Sequence, residues 1–192
     1  MANIVGLCGS LRRGSFNAAL LRAAAGLVPD GSHIDARTLH GVPLYDGDVE
    51  AAEGIPPAVA ALKDAVAAAD GLLLATPEYN NGIPGVFKNA IDWMSRPAAD
   101  IARVFGGKPV AVLGASPGGF GTQLAQNGWL PVLRTLGTAP WFEGRLMVAR
   151  AGDVFDADGR IVDAGIERRL RGFVAGFCAH VEGITRKTSS NG

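Results

Sequence analysis

The sequence predicts an α/β fold: a parallel sheet covered by helices on both faces. Two observations carry this. Short apolar runs recur without polar alternation, as in strands buried on both sides, and segments with apolar residues at helical spacing stand between them. That alternation builds βαβ units. A third observation bears on function, because three glycine-bearing loops each follow a strand, and ligands of such sheets sit beyond the strands' carboxyl ends.

The first strand is Asn3 to Cys8, an apolar run that ends in glycine and serine. After Ser15, the positions Phe16, Leu20, Ala24 and Leu27 recur at helical spacing, so the first loop feeds a helix N-terminus. His33 to Leu39 is a weaker second strand. Ile55, Val59, Leu62 and Val66 mark the next helix, and Gly71 to Thr76 is a wholly apolar third strand. Pro77 to Gly85 is rich in turn residues and opens a helix with Val86, Phe87, Ala90, Ile91 and Met94 on one face. Pro109 to Ala115 is the fourth strand and runs into another glycine loop.

The last third is less regular. Gly119 to Gly137 contains a helix that Pro131 starts or kinks, since proline supplies no backbone donor. Leu146 to Ala149 is the fifth strand, and Asp153 to Gly159 is a surface turn. Ile166, Leu170, Phe173, Phe177 and Val181 form a closing amphipathic helix. The polar tail, residues 185–192, is expected to be disordered. With no repeat and no linker, residues 1–192 read as a single domain.

A chain of 192 residues with 48% hydrophobic and 19% charged residues has enough apolar material for one core. Eighteen basic residues balance eighteen acidic ones, so no long-range positive field points to nucleic acid or a lipid surface. Cys8 and Cys178 each stand among apolar residues and read as buried, free thiols. There is no basic leader and no apolar run near 18 residues, which implies a soluble cytoplasmic protein. His33, His40 and His180 lack metal-ligand spacing, and no Ser/His/Asp set is evident.

The first loop, Gly9-Ser10-Leu11-Arg12-Arg13-Gly14-Ser15-Phe16-Asn17, sets two hydroxyls, an amide and a guanidinium around a helix N-terminus. Backbone N–H groups and the helix dipole attract an anion there, and Arg12 adds a charge-assisted bond. The simpler alternative is an N-cap by Ser15, which would need only one of these residues. A P-loop is excluded because Ser15 stands where its lysine belongs, and the Gly-x-Gly-x-x-Gly dinucleotide fingerprint is absent. A low-molecular-weight tyrosine phosphatase would need an arginine six positions after Cys8, where Gly14 stands. Cys8 therefore reads as a core residue at a strand end.

The second loop runs Pro77-Glu78-Tyr79-Asn80-Asn81-Gly82-Ile83-Pro84-Gly85. A planar heteroaromatic fits beside Tyr79 while backbone groups read its polar edge, although a tight turn that satisfies its own backbone is equally compatible. The third loop, Gly114-Ala115-Ser116-Pro117-Gly118-Gly119-Phe120-Gly121, lets a ring approach main chain without Cβ obstruction. An anion hole, a flat surface and an open glycine wall together describe a phosphorylated planar cofactor. FMN has that shape.

Gly-Ser-Leu-Arg-Arg-Gly-Ser-Phe-Asn, Pro-Glu-Tyr-Asn (Pro77 to Asn80) and Pro-Gly-x-x-Lys-Asn-Ala-Ile-Asp-Trp (Pro84 to Trp93) resemble the NADPH-dependent FMN reductase family, which includes bacterial quinone and chromate reductases. The resemblance spans roughly Ile4 to Ile184 and implies a flavodoxin-like, doubly wound, five-stranded parallel sheet of order 2-1-3-4-5 with helices on both faces. It also implies that Ser10 to Asn17 (Ser10, Leu11, Arg12, Arg13, Gly14, Ser15, Phe16, Asn17) cradle the FMN phosphate. Pro77, Glu78, Tyr79, Asn80 and Asn81 would line the ribityl and ring groups, and Ser116, Gly118 and Gly119 would approach the ring. Asn81 departs from the aromatic or small residue that family members often carry after the tetrad.

The expected activity is hydride transfer from NADPH or NADH through FMN to quinones, free flavin, azo compounds or chromate by ping-pong kinetics, with the chemistry carried by the cofactor and no metal. The resemblance also implies a homodimer or homotetramer, for which Phe87, Trp93 and Trp129 are candidate contacts, with a core position the preferred reading for Phe87. The alternative is an FMN electron carrier reduced by a partner protein.

Overall fold

The computed structural model describes residues 1–189. Among these described residues, six parallel strands form one sheet: β1 (Asn3–Cys8), β2 (His33–Thr38), β3 (Gly71–Ala75), β4 (Pro109–Ala115), β5 (Ala139–Pro140) and β6 (Leu146–Val148). The order is β2-β1-β3-β4-β5, with β6 also pairing with β4. The expected 2-1-3-4-5 arrangement is therefore present, with one correction at its edge.

That correction concerns the fifth strand. The sequence points to Leu146 to Ala149 alone, whereas two short pieces share the position. Ala139 and Pro140 lie against Pro109 and Val110, and Leu146–Val148 lies against Leu113–Ala115. Ala139 N–H donates to Lys108 C=O at 2.8 Å and Trp141 N–H to Val110 C=O at 2.7 Å, after which the chain leaves the sheet and rejoins it at Leu146.

Burial on both faces explains why the inner strands read as unbroken apolar runs. Ile4, Cys8, Leu73, Ala75, Ala111 and Leu113 point into one core, and Val5, Leu7, Leu72, Leu74 and Val110 into the other. The first core is closed by α1 (Phe16–Ala25) and α8 (Ala164–Ser189). The second is closed by α3 (Pro57–Ala68), α4 (Gly85–Met94), α5 (Ile101–Phe105) and α6 (Gln123–Thr135). Each fully buried leucine or phenylalanine contributes about 1.5–3 kcal/mol by leaving water.

Several elements depart from the sequence reading. A seven-residue helix α2 (Gly47–Glu53) follows β2; it buries no residue, so it carries no apolar stripe to detect. Asp46 caps it by accepting from Asp48 N–H at 2.9 Å. A 3-10 turn (Ala98–Asp100), α5 and α7 (Ala151–Val154) are likewise additional to the sequence reading, and α7 takes the first part of the expected Asp153 to Gly159 turn. Of the two expected roles for Pro131, starting the helix is ruled out, since it lies inside α6 near its last turns.

Helix α8 runs through to Ser189; residues 190–192 of the polar tail lie outside the described residues. No glycine or proline interrupts residues 185–189, and Arg186 pairs with Glu182 one turn back at 2.9 Å. Phe87, Trp93 and Trp129, considered above as oligomer contacts, are fully buried in the second core and unavailable to a partner. No helix among the described residues is long and apolar enough to cross a membrane.

Candidate functional site

The three loops converge at the carboxyl ends of β1, β3 and β4. A small cleft of about 50 Å³ is lined by Ser10, Arg12, Ser15, Phe16 and Asn17 from the first loop and α1. Pro77, Glu78 and Tyr79 come from the second loop, and Ala115, Ser116 and Pro117 from the third. Of the sixteen residues anticipated from sequence, nine line this cleft. Leu11, Arg13, Gly14, Asn80, Asn81, Gly118 and Gly119 lie outside its walls.

The first loop can turn sharply under the cleft because Gly9 has no side chain. A Cβ there would stand 2.1 Å from the Phe87 ring, which packs beneath the loop, while Gly9 N–H donates to Ala75 C=O at 2.9 Å. Ser15 is the N-cap of α1, with Oγ accepting from Ala18 N–H at 3.2 Å. The capping alternative is therefore realised, yet it uses only one of the orphan donors. Helix geometry leaves the N–H groups of Phe16 and Asn17 without an intrahelical acceptor at the floor of the cleft. Ser10 and Ser15 are buried around them, and Arg12 is exposed at the mouth. Arg13 and Gly14 turn to a neighbouring hollow that they share with Arg22 and the Asp156–Gly159 turn.

Two side chains expected to face a ligand are committed to the protein. Asn17 Nδ2 donates to Ala115 C=O at 2.8 Å and its Oδ1 accepts from Ala115 N–H at 2.9 Å, which ties the first loop to the end of β4. Glu78 Oε2 accepts from Leu124 N–H at 2.7 Å and Ala125 N–H at 2.9 Å at the start of α6. Each partner is distant in sequence, so no local pattern reveals these bonds.

In the second loop, Asn80 and Asn81 both have positive φ, 48° and 62°. Tyr79 and Gly82 exchange backbone hydrogen bonds at 3.1 and 3.0 Å, making a two-residue turn of the mirror-image type in which Asn is favoured. Backbone geometry accounts for both asparagines, and they stand exposed at the tip. Tyr79 remains 44% exposed beside the first loop, which leaves a flat aromatic surface at the cleft.

The third loop is braced from within. Ser116 Oγ donates to Gly121 C=O at 2.5 Å, and Ser116 N–H donates to Val148 C=O at 2.9 Å. Gly121 has φ +66°, and a Cβ would lie 2.9 Å from Met147, so glycine is required there on both counts. Gly14, Gly118 and Gly119 differ. None adopts positive φ, and none would bring a Cβ closer than 3.8 Å to another atom. The protein's own packing does not require these glycines.

Cys8 lies beneath the first loop with its thiol pointing to Ser10 C=O at 3.6 Å. Burial pushes that thiol above the usual cysteine range, which makes it a poor nucleophile and agrees with its reading as a core residue. Both cysteines are free and buried.

The model of the NADPH-dependent FMN reductase family matches residues 2–153, which span all three loops. The NAD(P)H-dependent FMN reductase of Pseudomonas aeruginosa is 48% identical over 160 residues, 83% of this chain and 84% of that protein. The 2-hydroxy-1,4-benzoquinone reductase of a Burkholderia species is 39% identical, covering 90% of this chain and 92% of that one. Among solved structures, the flavoenzyme NAD(P)H:(acceptor) oxidoreductase FerB of Paracoccus denitrificans superposes with a TM-score of 0.83 at 34% identity, over 95% of this chain and 98% of that one. This chain belongs to the NADPH-dependent FMN reductase family.

Proposed function

We propose that the chain is an FMN-dependent NAD(P)H oxidoreductase acting on quinones and similar small acceptors, with FMN seated across the three loops. One observation carries the seating. A helix N-terminus flanked by Ser10, Ser15 and Arg12 opens onto a cleft bordered by Tyr79 and Ser116, and just beyond its wall stand Gly118 and Gly119, glycines that the fold itself does not need. A phosphate and a flat ring account for both halves.

The N–H groups of Phe16 and Asn17 and the dipole of α1 would hold the FMN phosphate, with the Ser10 hydroxyl donating and Arg12 supplying positive charge. Tyr79 and the main chain from Ser116 to Gly119 would bound the ring. When bound, FMN supplies the redox chemistry, taking a hydride from the nicotinamide and passing electrons to the acceptor. The protein supplies position and a dry floor, since Ala75, Thr76 and Ala115 beneath the cleft are almost fully buried. If donor and acceptor use one open side of the bound ring, they would take turns, giving ping-pong kinetics and broad tolerance of acceptors. Free thiols suit a reducing cytoplasm, and a homodimer or homotetramer is part of the reading.

The test is a visible spectrum of the protein after FMN is added and excess removed, repeated without oxygen in the presence of NADPH or NADH. The expected result is a bound-flavin spectrum that bleaches. Bound flavin that stays oxidised would mean a carrier reduced by a partner protein, and failure to bind FMN at any concentration would overturn the assignment.

A further inference from the structure

Glu78 stands in the Pro77-Glu78-Tyr79-Asn80 segment, where a carboxylate invites reading as a ligand of the ring. The geometry points elsewhere. Its Oε2 already accepts two backbone hydrogen bonds, at 2.7 Å from Leu124 and 2.9 Å from Ala125. These amides open α6, and Thr122, which precedes that helix, makes no side-chain cap bond. Glu78 therefore does from another loop what an N-cap residue does locally, satisfying orphan donors and placing negative charge at the positive end of the helix.

The bond matters because of what lies on either side of it. Glu78 immediately precedes Tyr79, and the amides it holds follow directly on the loop of Ser116, Gly118 and Gly119. On the far side, Asn17 clasps Ala115 at the start of that loop. The loop is thus held at its start from the first loop and at its finish from the second.

We propose that Glu78 is a positioning residue: its carboxylate latches the second loop to the start of α6 and so fixes the width of the slot between Tyr79 and the third loop. The proposal rests on the FMN reading above and deepens it. Glu78 lines the cleft, but its Oε2 is held by the helix, and its effect on binding passes through the third loop.

The test uses the full chain as apoprotein, with FMN affinity read by quenching of flavin fluorescence and with amide hydrogen exchange read at Leu124 and Ala125. Four variants are compared: Glu78→Ala, Glu78→Gln, Glu78→Asp and Lys108→Met. Gln keeps an acceptor at the same reach without charge, while Asp keeps the charge on a side chain one methylene shorter. Lys108 bonds Ala67 and Ala69 C=O at the opposite end of the sheet, so its variant reports what lost stability alone does to binding.

A latch predicts that Glu78→Ala binds FMN about tenfold to a hundredfold more weakly, the range for losing hydrogen bonds to a charged group. Glu78→Gln should bind more tightly than Glu78→Asp, the two amides should exchange faster in the Ala and Asp variants before any FMN is added, and Lys108→Met should bind normally. Tighter binding by Asp than by Gln would show that charge at the ring matters, and would overturn the latch. Unchanged affinity in Glu78→Ala would overturn it too. Should Glu78→Ala fail to fold, the order of Gln and Asp still decides. Wild-type protein that binds no FMN would instead overturn the cofactor reading, while the exchange data would still report on the bond itself.

Discussion

Asn17 and Arg12 sit five residues apart in one loop and do different work. Asn17 is buried and spends both its amide atoms on Ala115, whereas Arg12 is exposed at the mouth of the cleft. Replacing Arg12 with Ala should leave the thermal stability of the apoprotein unchanged and weaken FMN binding by about 1.5–3 kcal/mol, the scale of a bond to a charged group. Replacing Asn17 with Asp should lower both. The carboxylate still accepts from Ala115 N–H but now faces Ala115 C=O with no hydrogen to donate, which costs about 1–3 kcal/mol of stability. Thermal melts and flavin titrations on the two variants check the contrast; a stable Asn17→Asp protein with normal affinity would show that the clasp is dispensable.

At the scale of elements, two tryptophans show how the second half of the chain is held. On α6, Trp129 packs edge-on against Phe87, with ring centroids 4.9 Å apart, and its Nε1 donates to Thr76 Oγ1 at 3.1 Å beneath the second loop. Trp141, after β5, packs on Phe173 and Phe177 of α8, yet its Nε1 has no partner among the described residues. Tryptophan to phenylalanine removes similar ring area at both places. The difference isolates the N–H, so Trp129→Phe should cost about 1 kcal/mol more than Trp141→Phe in denaturant unfolding. Equal costs would mean that the Thr76 bond contributes nothing. The same elements mark how far the sequence can be read. β1, β3 and β4 declare themselves because both their faces are buried, and α1 and α4 because their apolar spacing is clean. β5 and β6, two and three residues long, are too short to carry a period. In the site, the polar wealth of the first loop is legible, but the uses of Asn17 and Glu78 are not. Their partners lie 98 and 46 to 47 residues away and meet them only when the sheet closes.

Across the whole molecule, two ion pairs join segments that the chain keeps apart, and both make the fold sensitive to acid. Arg96, just beyond α4, reaches Glu50 of α2 at 2.9 Å, and buried Lys63 of α3 reaches Asp100 at 2.7 Å and also holds Arg96 C=O. The hydrogen bond from Arg96 holds the Glu50 carboxyl below its ordinary value of 4.5, and that from Lys63 holds Asp100 below its ordinary 3.8. A carboxyl whose pKa is lower in the folded state contributes stability that is fully present above its unfolded value and is lost as the pH falls through the folded one. The melting temperature should therefore hold steady from pH 7 to about 5 and then fall through the range below 4.5, where these two carboxyls take up protons. Glu50→Gln should melt lower at pH 7 and show a shallower acid decline than wild type, because the variant has already lost that proton-linked contribution. Salt should narrow the gap between the two proteins at pH 7, since the Arg96 side chain is partly exposed and screening weakens such pairs. Parallel acid declines in wild type and Glu50→Gln would place the sensitivity elsewhere and leave the Arg96 contact as a geometric tie alone.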